Sequence, residues 1–248
     1  MPTDPRKRQK KQERKAAKRK SKHQELTRAQ HAGLAERLTA AVKYPVLHSW
    51  VTDDLWTQGM GYVCLSRALP NGSVAFAVFL VDRFCLGVKN VMADIAGRFT
   101  YDSQMRKLRA NFTAENVSPA CARKIVEGAV EYARALGLHP HPDYQKGRVI
   151  FGGIDAGECT DEFEFGKDGK PFFIAGPNDT PERCRQILRT LEQARGPGGY
   201  DYLIPVAGPG GIPPELRGRE GVRLIGPDET GTIRDHDIDL SDESGEPG

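Results

Sequence analysis

The strongest constraint on this fold is a ten-residue run, Ser73–Asp82, that is apolar on both faces of a β-strand. Alternate side chains of a strand point to opposite faces. One face carries Val74, Phe76, Val78 and Leu80, and the other carries Ala75, Ala77, Phe79 and Val81. Because neither face can be left in water, the run predicts a central strand that is covered on both sides.

The segments around this run predict an antiparallel meander. Residues 62–69 are rich in β-forming side chains, and Pro70-Asn71-Gly72 joins them to the central run. Asn-Gly is a strong hairpin signal because both residues tolerate positive φ. Residues 47–52 and 85–91 predict one further strand each, with Gly87 as a bulge or a point of close backbone approach.

Helical spacing and capping residues predict the layers that cover the sheet. Apolar residues recur at helical spacing over 26–42, and this helix must end before Pro45. Residues 101–109 predict another helix. Ser118-Pro119 and Thr180-Pro181 each combine an N-cap with a proline at the first helical position. The expected inward faces are Cys121, Ile125, Ala129, Tyr132 and Leu136 in one helix, which ends at Gly137, and Cys184, Ile187, Leu188 and Leu191 in the other.

A second hairpin is predicted near the end of the folded region. The loop 166–170 contains Asp168-Gly169 and lies between residues 163–165 and 171–174. Residues 200–206 predict a last strand. Together the elements predict an α+β fold: a mostly antiparallel sheet, built from a meander and a second hairpin, packed by three or four helices, with disordered termini.

The charge of the chain is divided between its two ends. Residues 1–22 hold eleven Lys and Arg against two acids, and residues 227–248 hold eight acids against one Arg. Neither end has the apolar periodicity that a core requires, so both are predicted to be disordered. We therefore divide the chain into a disordered basic arm (1–23), a single α+β domain (24–206) and a disordered acidic tail (207–248).

The basic arm is the clearest indication of function. Cationic side chains neutralise phosphates and release counterions, which predicts salt-dependent binding to RNA, the ribosome or DNA. The arm has no aromatic residue that could stack on bases, so sequence-specific binding is not expected. The acidic tail could bind a protein partner. The predicted nucleic-acid-binding residues are Arg6, Lys7, Arg8, Lys10, Lys11, Arg14, Lys15, Lys18, Arg19, Lys20 and Lys22.

The cysteines predict small buried thiols in a reducing compartment. They are five in number, widely spaced, and form no C-x-x-C pair, so they indicate neither a zinc site nor a redox motif. No apolar run is long enough to cross a bilayer, and no secretory signal follows the basic arm. These features predict a cytoplasmic protein without a membrane anchor.

Two segments could carry chemistry. His139-Pro140-His141-Pro142-Asp143 has the composition of a metal site, but alternating prolines favour three residues per turn, which separates the two histidines. A turn after the helix is the simpler role. Asp82 lies at the exit of the central strand, where it could be catalytic or could cap the next turn. Acids that could accompany it in a metal-dependent nuclease, or simply form a solvated loop, are Asp155, Glu158, Asp161, Glu162 and Glu164.

No motif predicts a cofactor or a bound metal ion. Gly152-Gly153 and the glycines at 208–211 do not match a phosphate-binding loop or a dinucleotide-binding turn. There is also no G-x-S-x-G turn and no H-E-x-x-H helix.

Three stretches are similar to a known group of proteins: VFLVDRFCLGVKNV at 78–91, EGAVEYARALGLHPHPDY at 127–144 and EFGKDGKPFFIAGPND at 164–179. They resemble a group of bacterial conserved hypothetical proteins over residues 45–206. That group has no assigned activity, so the resemblance implies no site residue. It implies that 45–206 is one unit of a bacterial, cytoplasmic protein.

Taken together, the sequence predicts a soluble, non-catalytic nucleic-acid- or ribosome-associated factor that uses its basic arm. Two alternatives stay open. One is a metal-assisted hydrolase that uses Asp82 or the 139–143 segment, and the other is an adaptor whose charged tails bind proteins.

Overall fold

The computed structural model describes residues 33–176 and 178–204. Its main sheet has five antiparallel strands in the order β4-β3-β2-β1-β5, and a separate pair joins β6 to β7 in parallel. The strands are β1 (Val46–Thr52), β2 (Met60–Ala68), β3 (Ser73–Asp82), β4 (Gly87–Gly97), β5 (Ala114–Asn116), β6 (Phe172–Ile174) and β7 (Asp201–Leu203). The predicted meander is confirmed, and Gly72 adopts a φ of 80° in the turn before β3.

The helices are α1 (Leu34–Ala41), α2 (Asp54–Thr57), α3 (Arg98–Arg109), α4 (Pro119–Ala135), α5 (Tyr144–Gly147) and α6 (Pro181–Arg195), with 3-10 turns at Arg148–Phe151 and Ala156–Glu158. Both predicted N-caps form, because the side chain of Ser118 accepts from the Cys121 N–H and that of Thr180 from the Arg183 N–H. The α+β class is confirmed. Within the described residues, no helix has both the length and the apolar character that crossing a bilayer requires.

Strand β3 is covered on both faces, as its composition predicts. Its inner face packs against α1, α4 and the 144–151 segment, and its outer face packs against α3. The inner core takes Ala75, Ala77, Phe79 and Val81 from β3, whereas the outer core takes Val74, Phe76 and Val78. A third apolar cluster joins α6 to β6, β7 and the β3–β4 turn.

Helix α4 lies so close to the start of β4 that a side chain at Gly87 would collide with it. A Cβ atom there would be 2.9 Å from the carbonyl oxygen of Ala129, and Gly87 also has a φ of 70°. The predicted close approach is therefore confirmed. The bulge lies two residues further on, at Lys89, between the pairs Leu80–Asn90 and Val81–Val88.

The predicted second hairpin is wrong in its strand pairing. A tight turn forms, with a bridge between Lys167 and Lys170, but residues 163–165 are not a strand. The backbone groups have other partners: the Gly166 N–H donates to the Arg83 carbonyl, and the Arg83 side chain donates to the Glu164 carbonyl. Strand β6 pairs with β7 instead, because the Asp201 N–H donates to Pro171 and the Ala175 N–H to Leu203.

The cysteine prediction is correct for three residues and wrong for two. Cys64, Cys85 and Cys184 are free, buried thiols. Cys121 and Cys159 form a disulfide across 38 residues of sequence, with their Cα atoms 4.9 Å apart. Because of this bridge, the cysteines no longer support the prediction of a reducing compartment. The sequence conceals it because the two residues become neighbours only when the loop after the second 3-10 turn folds onto α4.

A buried arginine on β2 links two parts of the inner layer. Arg67 is 5% exposed and has no carboxylate partner among the described residues. Its guanidinium donates to the carbonyls of Ile150, Tyr44 and Phe151 at 2.8, 2.8 and 3.1 Å. Burial lowers the pKa of this guanidinium. The charge is tolerated because three carbonyl dipoles replace water.

Replacing Arg67 by methionine should lower the free energy of unfolding by at least about 2 kcal/mol, because two buried carbonyls and one half-buried carbonyl lose their donor. Urea denaturation followed by circular dichroism measures this change. The matched control is Arg134→Met at an exposed position of α4, which should change stability by less than about 0.5 kcal/mol. Equal effects of the two substitutions would contradict the role of Arg67.

Candidate functional site

A cleft of about 720 Å³ lies on the outer face of the sheet, beside α3. Its volume is within the range of small-molecule and nucleotide sites. Helix α3, strands β1 and β5 and the segment after α3 form its walls. Its lining residues are His48, Trp50, Tyr101, Asp102, Met105, Arg106, Arg109, Ala110, Phe112, Thr113 and Ala114.

Helix α3 makes the mouth of this cleft strongly cationic. The helix carries four basic residues and one acid, Asp102, which pairs with Arg98 at 2.8 Å. Arg106, Lys107 and Arg109 are exposed, and no ion pair between described residues involves them. The guanidinium of Arg109 lies over the Trp50 ring, 5.7 Å from its centroid. The cleft therefore offers uncompensated positive charge next to an apolar floor.

A chain of hydrogen bonds orients His48 in the cleft wall. The Tyr101 hydroxyl donates to Ser66 Oγ at 3.0 Å and lies 2.8 Å from His48 Nδ1. The direction of the Tyr101–His48 hydrogen bond depends on the histidine tautomer. In the tautomer protonated at Nδ1, this nitrogen donates to the Tyr101 oxygen, and the second ring nitrogen, Nε2, carries a lone pair that can accept a hydrogen bond.

The surroundings favour the neutral form of His48. Burial lowers the pKa of His48, and the positive charge of Arg98 lowers it further, with Asp102 acting in the opposite direction. A neutral imidazole can accept a hydrogen bond from a hydroxyl or a ring N–H while the nearby arginines hold an anion. This arrangement suits a ligand that combines phosphate with hydroxyl or base N–H groups.

An exposed aromatic side chain extends the cationic surface. Phe99 is 81% exposed, and no other large hydrophobic residue in the described part of the chain is exposed. It lies seven residues before Arg106, which is two helical turns, so the two side chains lie on the same side of α3. We call Arg98, Phe99, Arg106, Lys107 and Arg109 the α3 surface. In the sequence, only the cluster of arginine and lysine at 106–109 indicates this surface.

The eleven predicted nucleic-acid-binding residues of the arm lie outside the described residues. Their role stays a prediction. The same holds for the acidic tail and its protein partner.

Asp82 is a turn cap in this structure. It is 4% exposed, and its Oδ1 accepts from the N–H groups of Phe84 and Cys85 at 2.9 and 3.0 Å. Burial raises the pKa of Asp82 to about 6, although Lys89 and the turn N–H groups act against this shift. Asp82 lines neither of the two described clefts. Of the two roles predicted for it, the geometry supports the turn cap and not the catalytic residue.

The 139–143 segment does not bring three potential metal ligands together. His139 and His141 both line a smaller cleft of about 320 Å³, along with Lys89 and Arg183. His141 Nδ1 accepts from the Asp143 N–H at 3.2 Å, which stabilises a turn after α4. Of the acids near residue 160, Asp155 caps its own turn through Gly157, and Asp161 lies against the disulfide.

Comparisons with protein-family models, with curated proteins and with solved structures found no match. The resemblance of the three quoted stretches to a bacterial group thus stays a prediction.

Replacing Asp82 by asparagine should change how stability depends on pH. The folded-state pKa of about 6 lies above the ordinary 3.8, so folding takes up a proton between these values. The stabilising contribution of protonated Asp82 to the free energy of unfolding is therefore complete below pH 3.8. It declines by on the order of 3 kcal/mol as the pH rises to 6. Asparagine keeps the accepting oxygen and has no charge to bury.

Urea unfolding of both proteins between pH 4 and pH 8 measures this effect. The Asp82→Asn variant should gain stability relative to the natural protein as pH rises through this range. A difference that does not vary with pH, or that moves in the opposite direction, would refute the burial argument.

Proposed function

We propose that this protein is a non-catalytic factor that binds single-stranded RNA, using the α3 surface of its folded region together with the basic arm. The observation that carries the proposal is the set of exposed cations at Arg106, Lys107 and Arg109, which have no carboxylate partner among the described residues. Backbone phosphates are the natural counter-charges for such a set.

The aromatic residue favours single strands over duplexes. Proteins that bind single-stranded nucleic acid combine a cationic groove with aromatic rings on which unpaired bases stack. Phe99 supplies an exposed ring beside the cations of α3. The arm contains no aromatic residue, so the two parts are complementary: the arm adds charge, and the α3 surface adds stacking.

The choice of RNA follows from the wall of the cleft. In the tautomer protonated at Nδ1, His48 Nε2 is a hydrogen-bond acceptor close to Arg98 and Arg109, and the ribose 2′-hydroxyl of RNA can donate to it. A ribosomal context and a cytoplasmic location belong to the same proposal. DNA of the same sequence lacks this hydroxyl and should bind more weakly than RNA.

Replacing Arg106 by glutamine should weaken RNA binding in a salt-dependent way. Fluorescence anisotropy of the full chain with a labelled single-stranded RNA measures this effect. The negative slope of log K against log salt should become shallower by about 0.7. The matched control is Arg189→Gln at an exposed position of α6 that does not line the cleft beside α3. Both substitutions remove one exposed charge, so equal slopes in the two variants would contradict a site at α3.

Deleting residues 1–22 separates the arm from the α3 surface. The shortened protein should bind RNA more weakly, and Arg106→Gln should weaken the remaining binding further. If the shortened protein no longer responds to Arg106→Gln, the arm alone accounts for affinity and the α3 surface is not used.

Replacing Phe99 by alanine should lower the affinity for single-stranded RNA at least fivefold, because loss of one stacked base costs about 1 kcal/mol or more. Phe99→Tyr keeps an aromatic ring and should retain most of the affinity. Anisotropy titrations at constant salt compare the three proteins. An alanine variant that binds like the natural protein would show that Phe99 does not contact bases.

A further inference from the structure

A compact group of potential metal ligands lies at the beginning of α4, away from the α3 surface. The Sγ atoms of Cys121 and Cys159 and a carboxylate oxygen of Asp161 all lie within 4.8 Å of one another. Asp161 Oδ2 is 3.6 Å from Cys121 Sγ. Among the described residues, no other three His, Cys, Asp or Glu side chains come this close together.

The loop that carries two of these ligands is connected to α4 by hydrogen bonds as well as by the disulfide. Lys124 Nζ on α4 donates to the carbonyls of Cys159 and Asp161 at 3.3 and 2.7 Å. Arg123 donates to the carbonyls of Gly152 and Ile154. Four hydrogen bonds thus connect α4 to residues 152–161. They would keep the two sulfur atoms as neighbours after the bridge is opened.

The chemistry of the donors favours a thiophilic cation. Two thiolates and one carboxylate match the ligands of zinc sites with an open fourth position for water. Cys121 is the third residue of the first turn of α4, where the helix N-terminus favours a thiolate. Both cysteines are buried, at 6% and 4% exposure, whereas Asp161 is exposed and gives the site access to solvent.

We propose that Cys121, Cys159 and Asp161 form a site for a divalent thiophilic cation such as Zn²⁺ when a cellular dithiol opens the bridge. The dithiol gives up two electrons and two protons and becomes a disulfide. The Sγ–Sγ bond breaks, and each sulfur takes one proton. The cation then displaces both protons as two metal–sulfur bonds form, and Asp161 supplies an oxygen ligand.

The test uses the full chain, reduced with a phosphine that is then removed without oxygen, and titrated with Co²⁺ as a spectroscopic probe. The reduced protein should bind one equivalent with thiolate-to-cobalt absorption, and the oxidised protein should bind none through sulfur. Zn²⁺ should displace the cobalt. Cys121→Ser and Cys159→Ser should each abolish the absorption, and Asp161→Asn should weaken binding at least tenfold.

Cys184→Ser is the matched control, because Cys184 is a buried thiol that is not part of the group. This variant should retain full stoichiometry. Circular dichroism of the Cys121→Ser/Cys159→Ser double variant checks that the fold persists without the bridge. The proposal is overturned if the reduced protein shows no thiolate-to-cobalt absorption, if Cys121→Ser retains it, or if opening the bridge unfolds the chain.

Discussion

A central strand with two apolar faces determines how the rest of this protein is arranged. Strand β3 contributes Ala75, Ala77, Phe79 and Val81 to one core and Val74, Phe76 and Val78 to the other. Burying both sets requires a helical layer on each side of the sheet. Helix α4 approaches the inner side so closely that only glycine fits at position 87. Helix α3 has to supply the outer layer.

The outer layer explains where the candidate site lies. Helix α3 has twelve residues, and Tyr101, Met105 and Leu108 pack its inward side against the sheet. It leaves a cleft beside β1 and β5, with Trp50 at its floor. The residues on the other side of the same helix are free to be basic. Helix α3 therefore packs against the sheet with one side and presents uncompensated positive charge on the other side, next to the cleft.

Local signals in the sequence were sufficient for the meander, the capped helices and the two-sided core. Asn71-Gly72, Ser118-Pro119 and Thr180-Pro181 each act within a few residues, so their effect can be read without tertiary structure. The pairing of β6 with β7, the Cys121–Cys159 bridge and the buried Arg67 depend on contacts between distant residues. The α3 surface has only a weak signal, because a short basic run such as 106–109 is common on solvated helices.

The central claim is that RNA contacts the folded region at α3 and not the basic arm alone. Hydrogen–deuterium exchange of the full chain, with and without saturating single-stranded RNA, tests this claim directly. Contact at α3 should slow exchange in residues 98–114 on binding and leave exchange in α6 unchanged. Protection confined to residues 1–22, with α3 exchanging at its free rate, would contradict it.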